Sequence, residues 1–103
     1  DFDPIFIDNA RSTICDDNIS FETKDILTGP MENKYSGIYS LDVMEHIHKD
    51  NEDLFIKNIK DSLQKNGVVI IGMPSLESQK YASETSIKGH INCKSGSDFK
   101  KYL

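Results

Sequence analysis

Asp42, Glu45, His46 and His48 lie within seven consecutive positions of a 103-residue chain, and a third histidine, His90, stands in Gly89-His90-Ile91-Asn92. Two chemistries are open to such a set. Imidazoles with carboxylates can ligate a metal, and an imidazole alone can accept a proton from an oxygen or nitrogen nucleophile. On a helix, residues two apart point about 200° away from one another, so His46 and His48 cannot face one ion. The His-Glu-x-x-His spacing of zinc hydrolases is also absent. No metal is therefore expected at this segment, and His46 and His90 are the candidate proton acceptors. Each has a plainer role beside it: His46 as a prop for Glu45 and its helix, His90 as a loop residue bonded to backbone. Neither a Gly-x-Ser-x-Gly elbow nor a P-loop is present.

These residues need elements to position them. Asp3 suits a helix N-cap and Pro4 the first helical position, where its missing N–H costs nothing. Phe6, Ile7, Ala10 and Ile14 then predict a buried helical stripe ending near Ile14. Residues 19–23 alternate Ile-Ser-Phe-Glu-Thr, the period of a half-buried strand, before Thr28-Gly29-Pro30 breaks the chain. Residues 38–43 read as the next strand and its exit. Asp50, with Asp53 three residues on, predicts a helix start, and Leu54, Phe55, Ile59, Ser62 and Leu63 one apolar face. Gly67 predicts the helix stop, in the left-handed position. The continuous apolar run over residues 68–73 fits a strand covered on both faces of a parallel sheet. The polar stretch 75–88 reads as a loop or lid with a short helix, and Ser95 or Ser97 as the cap of a terminal helix. Strand, acidic turn, helix, glycine and buried strand make one βαβ unit, with its polar groups at the carboxyl end of the first strand. Open α/β sheets bind small molecules at such strand ends.

The segment Ser40-Leu41-Asp42-Val43-Met44-Glu45-His46-Ile47, followed by Leu63-Gln64-Lys65-Asn66-Gly67 and a strand ending in Pro74, resembles the class I S-adenosylmethionine-dependent methyltransferases. Asn66 takes a slot that is proline or glycine in the family. The resemblance implies an α/β, Rossmann-like three-layer sandwich with a mostly parallel sheet, including parallel strands near residues 20–23, 38–41 and 68–73. It implies S-adenosylmethionine as cofactor and methyl transfer to an acceptor that the sequence does not name. Asp1, opening the family's Asp-x-Asp-Pro pattern, would accept both ribose hydroxyls, and Phe2 would lie against the adenine. Asp25 would accept from the adenine amine, with Ile26 supplying the adjacent backbone N–H. Ser40 and Leu41 would lie beside the methionine portion, while His90 and Tyr81 would border the substrate side. The family's Gly-x-Gly-x-Gly turn would precede Asp1 by about twenty residues. Residues 1–103 are therefore expected to be an internal, partial domain, running from the end of the second strand to just after the fifth. Such a piece is expected neither to fold stably nor to methylate by itself.

Bulk properties set the outer limits. With 37% hydrophobic and 28% charged residues the composition is that of an ordinary globular chain, in a length that allows one domain. A net charge of −5 disfavours non-specific nucleic-acid binding, which depends on clustered Lys and Arg. No apolar run approaches the roughly 18–20 residues needed to span a bilayer. Cys15 and Cys93 are too few for a disulfide framework, so reduced thiols in a cytoplasmic protein are expected. Two rival readings accompany the methyltransferase. One is another Rossmann-like nucleotide-cofactor enzyme, for instance nicotinamide-dependent; the other is a degenerate methyltransferase fold kept as a binding scaffold.

Overall fold

In the computed structural model, which describes residues 1–103, helix α1 spans Pro4–Thr13. Asp3 is its cap, with Oδ1 accepting the Ile5 amide at 2.8 Å, and Pro4 is its first residue, as the sequence predicts. The expected stripe is not buried. Only Ile7 is covered, while Phe6 and Ile14 face solvent, because little of the chain packs over this helix. Arg11 ties α1 to the next segment by donating from Nη2 to the Phe21 carbonyl at 2.7 Å.

Residues 20–23 form no sheet strand, contrary to expectation. Their sheet-like bonding is limited to Asp1: its nitrogen donates to the Glu22 carbonyl at 3.4 Å and its carbonyl accepts from Lys24 at 2.7 Å. These two bonds are the pair that a parallel ladder makes around Thr23, but a strand needs a longer partner than one residue.

Strands β1 (Tyr35–Leu41) and β2 (Leu63–Gly72) are parallel neighbours, joined through helix α2 (Glu52–Asp61). Ile38 pairs with Val69, Tyr39 with Ile70, Ser40 with Ile71 and Leu41 with Gly72. The register jumps between Tyr35 and Gly37, and residues 64–67 bulge out there. Gly67 has a role in this bulge rather than at a helix end. A Cβ on it would stand 2.9 Å from Leu63 Cδ2 and 3.1 Å from the carbonyl oxygens of both Gln64 and Tyr35, so a larger residue would force this close approach of backbone to give way. Its φ is not positive, and α2 has already ended at Ser62, whose N–H bonds back to Asn58 and Ile59 at 3.1 and 3.0 Å. At the other end Asp50 is not the cap of α2. It lies in a short 3-10 turn, Lys49–Asn51, where its N–H donates to His48 Nδ1 at 3.3 Å.

The core is small. Met44, Phe55 and Ile59 are fully covered, and Ile26, Leu27, Ile38, Ile47, Ile71 and Phe99 pack against them. Within the α2 stripe Phe55, Ile59 and Ser62 are buried, while Leu54 is exposed. Two polar residues lock the 26–31 loop to α2. Asn58 donates to the Ile26 carbonyl at 2.7 Å, and the Ser62 hydroxyl accepts the Met31 amide at 2.9 Å. Side chains alternate across a strand, so Ile38 and Ile71 face the core while Tyr39, Val68 and Ile70 lie on the other face. Those three are 77%, 64% and 61% exposed. The apolar run over residues 68–73 is thus covered on one face only. The architecture is α/β, with a two-stranded parallel sheet. Short helices α3 (Glu84–Gly89) and α4 (Gly96–Tyr102) follow, the latter capped by Ser95. No helix is long and apolar enough to cross a membrane.

Candidate functional site

The carboxyl end of β1 delivers the chain into a tight turn. Asp42 adopts φ 54°, a left-handed conformation that aspartate tolerates better than most residues, and its N–H extends the ladder to the Gly72 carbonyl at 3.0 Å. The following segment, Met44–His46, is a 3-10 turn, which drives Met44 into the core and takes Glu45 with it. Glu45 is 0% exposed, and neither carboxylate oxygen has a hydrogen-bond partner in the protein. A buried carboxylate without donors is expensive, costing several kcal/mol.

Two histidines stand beside it. His46 Nδ1 meets the Gly89 carbonyl oxygen at 2.8 Å. A carbonyl only accepts, so Nδ1 carries a proton, and in the neutral ring the lone pair is on Nε2. That Nε2 lies 3.8 Å from Glu45 Oε1. His90 Nδ1 meets Gln79 Oε1 at 2.8 Å, and the Gln79 amide nitrogen is turned to the Ser75 carbonyl at 3.4 Å. His90 is therefore also protonated on Nδ1. The two rings meet edge to face with centroids 5.2 Å apart. One ligating atom from each of Glu45, His46 and His90 lies within 4.8 Å of the others.

The segment carrying His90 is held in place by buried polar bonds. Asn92 donates its N–H to the Glu45 carbonyl at 3.0 Å and its side-chain amide to the Ile47 carbonyl at 3.1 Å. The same amide and the Lys94 ammonium both donate to Glu52 Oε1. Ser75 pairs with Lys94 in a parallel bridge, and the Leu76 amide donates to the Lys94 carbonyl at 2.9 Å. Burial pushes the Glu52 carboxyl up, but the bonds from Lys94 and Asn92 outweigh it and hold the group below its ordinary value. Burial pushes the Cys93 thiol up, and the Glu45 charge pushes it further. Tyr102, under the Lys94 ammonium, is pushed up to about 12 by burial and by the Glu52 and Asp53 carboxylates.

The residues expected to bind a cofactor fall into two groups. Ser40 and Leu41 end β1 beside Ile71 and Gly72, immediately before the turn that carries Glu45 and His46. Asp1 and Asp25 lie in the amino-terminal part, each with its carboxylate engaged locally. Asp1 Oδ1 accepts the Asp3 amide at 2.9 Å, and Asp25 Oδ1 accepts the Leu27 amide at 2.9 Å, capping a 3-10 turn over Ile26–Thr28. Phe2 is exposed, and Ile26 packs against the core with its carbonyl on Asn58. None of the six lines either of the two main grooves. The larger, about 510 Å³, lies between Arg11, Ile14, Cys15 and Phe21, and the smaller, about 170 Å³, between Glu22, Lys24 and Met31. Tyr81 is exposed, with the Lys80 ammonium 4.8 Å over its ring. His48 is occupied with Asp50 at 3.3 Å and lies outside the Glu45 cluster, as does Asp42.

Sequence reasoning identified His46 and His90 separately but not their meeting. It also passed over Gln79, Glu52, Asn92 and Lys94. The adjacency of Asn92 to His90 was the one visible hint, since a buried loop needs a side chain to satisfy backbone groups. Comparison with family models, with curated proteins and with solved structures finds no match for the chain.

Proposed function

We propose that this chain is part of an S-adenosylmethionine-dependent methyltransferase of class I, with a Rossmann-like three-layer fold. The observation that supports the reading most is the β1–α2–β2 unit, whose parallel strands end side by side at Leu41 and Gly72, with Glu45 and His46 just beyond. Parallel sheets of this kind take small molecules outside the carboxyl ends of their strands. The Asp1–Thr23 backbone pairing agrees with a second and a third strand running parallel at that point. Both cysteines are unpaired, which fits the cytoplasmic setting we propose.

Methyl transfer is an in-line displacement at a sulfonium: the acceptor–carbon bond forms as the carbon–sulfur bond breaks, and the acceptor's proton must go to a base. Catalysis of this kind rests mainly on holding the reactants in line. In their neutral form the two rings offer Nε2 of His46 or of His90 as the acceptor of that proton. Calorimetric titration of the intact, full-length protein tests the reading: S-adenosylmethionine should bind, and Asp1→Ala should weaken it by about 1.5–3 kcal/mol, roughly ten- to 150-fold. Unchanged affinity in the variant rejects the ribose role of Asp1. Binding of a nicotinamide dinucleotide in place of S-adenosylmethionine rejects the methyltransferase.

A further inference from the structure

The buried carboxylate of Glu45 is satisfied in neither of its protonation states. Ionised, it has no donor; protonated, it has no acceptor, and His46 Nε2, at 3.8 Å from Oε1, is beyond hydrogen-bond reach. What stands around it is two imidazoles, each with Nδ1–H committed to an oxygen. Metal-ligating histidines are held in this way, with one ring nitrogen donating to a carbonyl so that the other points its lone pair at the ion. Gly89 O and Gln79 Oε1 are those outer partners, at 2.8 Å each. Gly89 also lies close against the His46 ring, where an added Cβ would sit 3.4 Å from Cε1.

We propose that Glu45, His46 and His90 bind one divalent transition-metal ion, of the kind represented by Zn²⁺. This inference stands on the geometry and not on the methyltransferase reading; a bound ion would take up the same Nε2 atoms and so remove them as proton acceptors. Two imidazoles and one carboxylate suit Zn²⁺ and its neighbours, whereas Mg²⁺ prefers oxygen alone. Tetrahedral ligands at about 2.0–2.1 Å from zinc stand roughly 3.3 Å apart. The donors here, within 4.8 Å of one another, need to close by up to about 1.5 Å. His46 has the freedom to do so, being half exposed, while Glu45 and His90 are set by the core and by the Asn92 anchor. Three protein ligands leave a fourth position open to water or substrate, on the solvent side marked by His46.

The test is calorimetric titration of the chelator-treated protein with Zn²⁺. One ion per chain should bind, without competition from a hundredfold excess of Mg²⁺. Glu45→Gln, His46→Ala and His90→Ala should each weaken binding at least tenfold, Gln79→Leu about 10–100-fold through the released His90, and His48→Ala should not. Glu45→Gln removes an unsatisfied buried carboxyl group at constant shape, so without metal it should unfold at the same or a higher temperature, yet lose the stabilisation Zn²⁺ gives the parent. ¹⁵N spectra of the three histidines need no variant: His46 and His90 should show Nδ1–H tautomers with Zn²⁺ on Nε2, and His48 no change. Absence of saturable Zn²⁺ binding, binding unaffected by Glu45→Gln, or a shift at His48 in place of His46 and His90 overturns the proposal.

Discussion

The two ends of α2 and the stretch before residue 26 offer the same kinds of residues and reach opposite outcomes. Around α2, Phe55, Ile59 and Met44 are sealed by both strands, by the 26–31 loop and by α4. In the amino-terminal part, Phe2, Ile5 and Phe6 are exposed, and Ile7 is the buried residue of α1. Composition does not separate the regions; neighbours do. An apolar side chain stabilises the fold only in proportion to the surface that other elements remove from water. α1 is well capped and well formed but meets little that covers it, so its apolar residues contribute local order and little stability.

The sharpest break of that contrast is a pair of identical changes. Phe55→Ala should cost about 3–5 kcal/mol, enough in so small a core to abolish cooperative unfolding. Phe6→Ala, on the exposed side of α1, should stay within about 0.5 kcal/mol of the parent. Urea unfolding followed by far-ultraviolet dichroism measures both. Similar losses in the two variants would mean that α1 is covered in solution.

A second test concerns the polar seam between α2 and the 90–94 segment. Asn92→Ala removes donors from the Ile47 carbonyl and from Glu52, and should cost about 1–3 kcal/mol. The seam also carries a pH signature. The folded Glu52 carboxyl lies below its ordinary value of 4.5, held there by Lys94 and Asn92 against burial, with Lys49 adding its charge. The unfolded chain therefore binds more protons in that range, and stability rises with pH there. The contribution is complete above 4.5 and is lost as pH falls through the folded value. Glu52→Gln should flatten this part of the urea-midpoint profile, and an unchanged profile would remove Glu52 as its source.

The smallest effect belongs to the amino-terminal cap. Asp3→Ala should cost α1 about 1 kcal/mol. Because α1 is weakly tied to the core, this should appear as faster amide exchange over residues 5–10, with the global unfolding midpoint unmoved. A matching shift in the midpoint would show that α1 and the core unfold together.

Some of this was legible residue by residue. The Asp3–Pro4 start of α1 and the α4 cap, which is Ser95 of the two serines the sequence offered, follow from signals within a few residues of where they act, and the strand–helix–strand order of β1, α2 and β2 from periodicity. Caps and φ preferences are local energies, so they survive whatever the rest of the chain does. The misreadings share a cause. Gly67 resembled a helix stop because glycine serves both left-handed turns and close approaches, and only the position of the Tyr35 carbonyl separates the two. Asp50 resembled a cap, but His48 took that part in a turn one step earlier. Residues 68–73 resembled a strand covered twice, though one of its faces meets no other element.

The candidate site belongs wholly to the second category. From sequence, His46 was weighed against His48, two residues away, and a metal was set aside because a helix holds such residues apart. The tertiary structure replaces that helix with a 3-10 turn and brings His90 from a distant segment to the same carboxylate. What delivers it is Asn92, whose bonds to Glu45, Ile47 and Glu52 cross forty or more residues of chain. The residues alone determined the Asp3 cap and the strand–helix–strand order of the parallel unit, because capping and periodicity are decided by neighbours in sequence. Which imidazole meets which carboxylate, and whether that carboxylate is buried without a donor, was decided by packing, because desolvation and donor geometry exist only once separate segments share the same space.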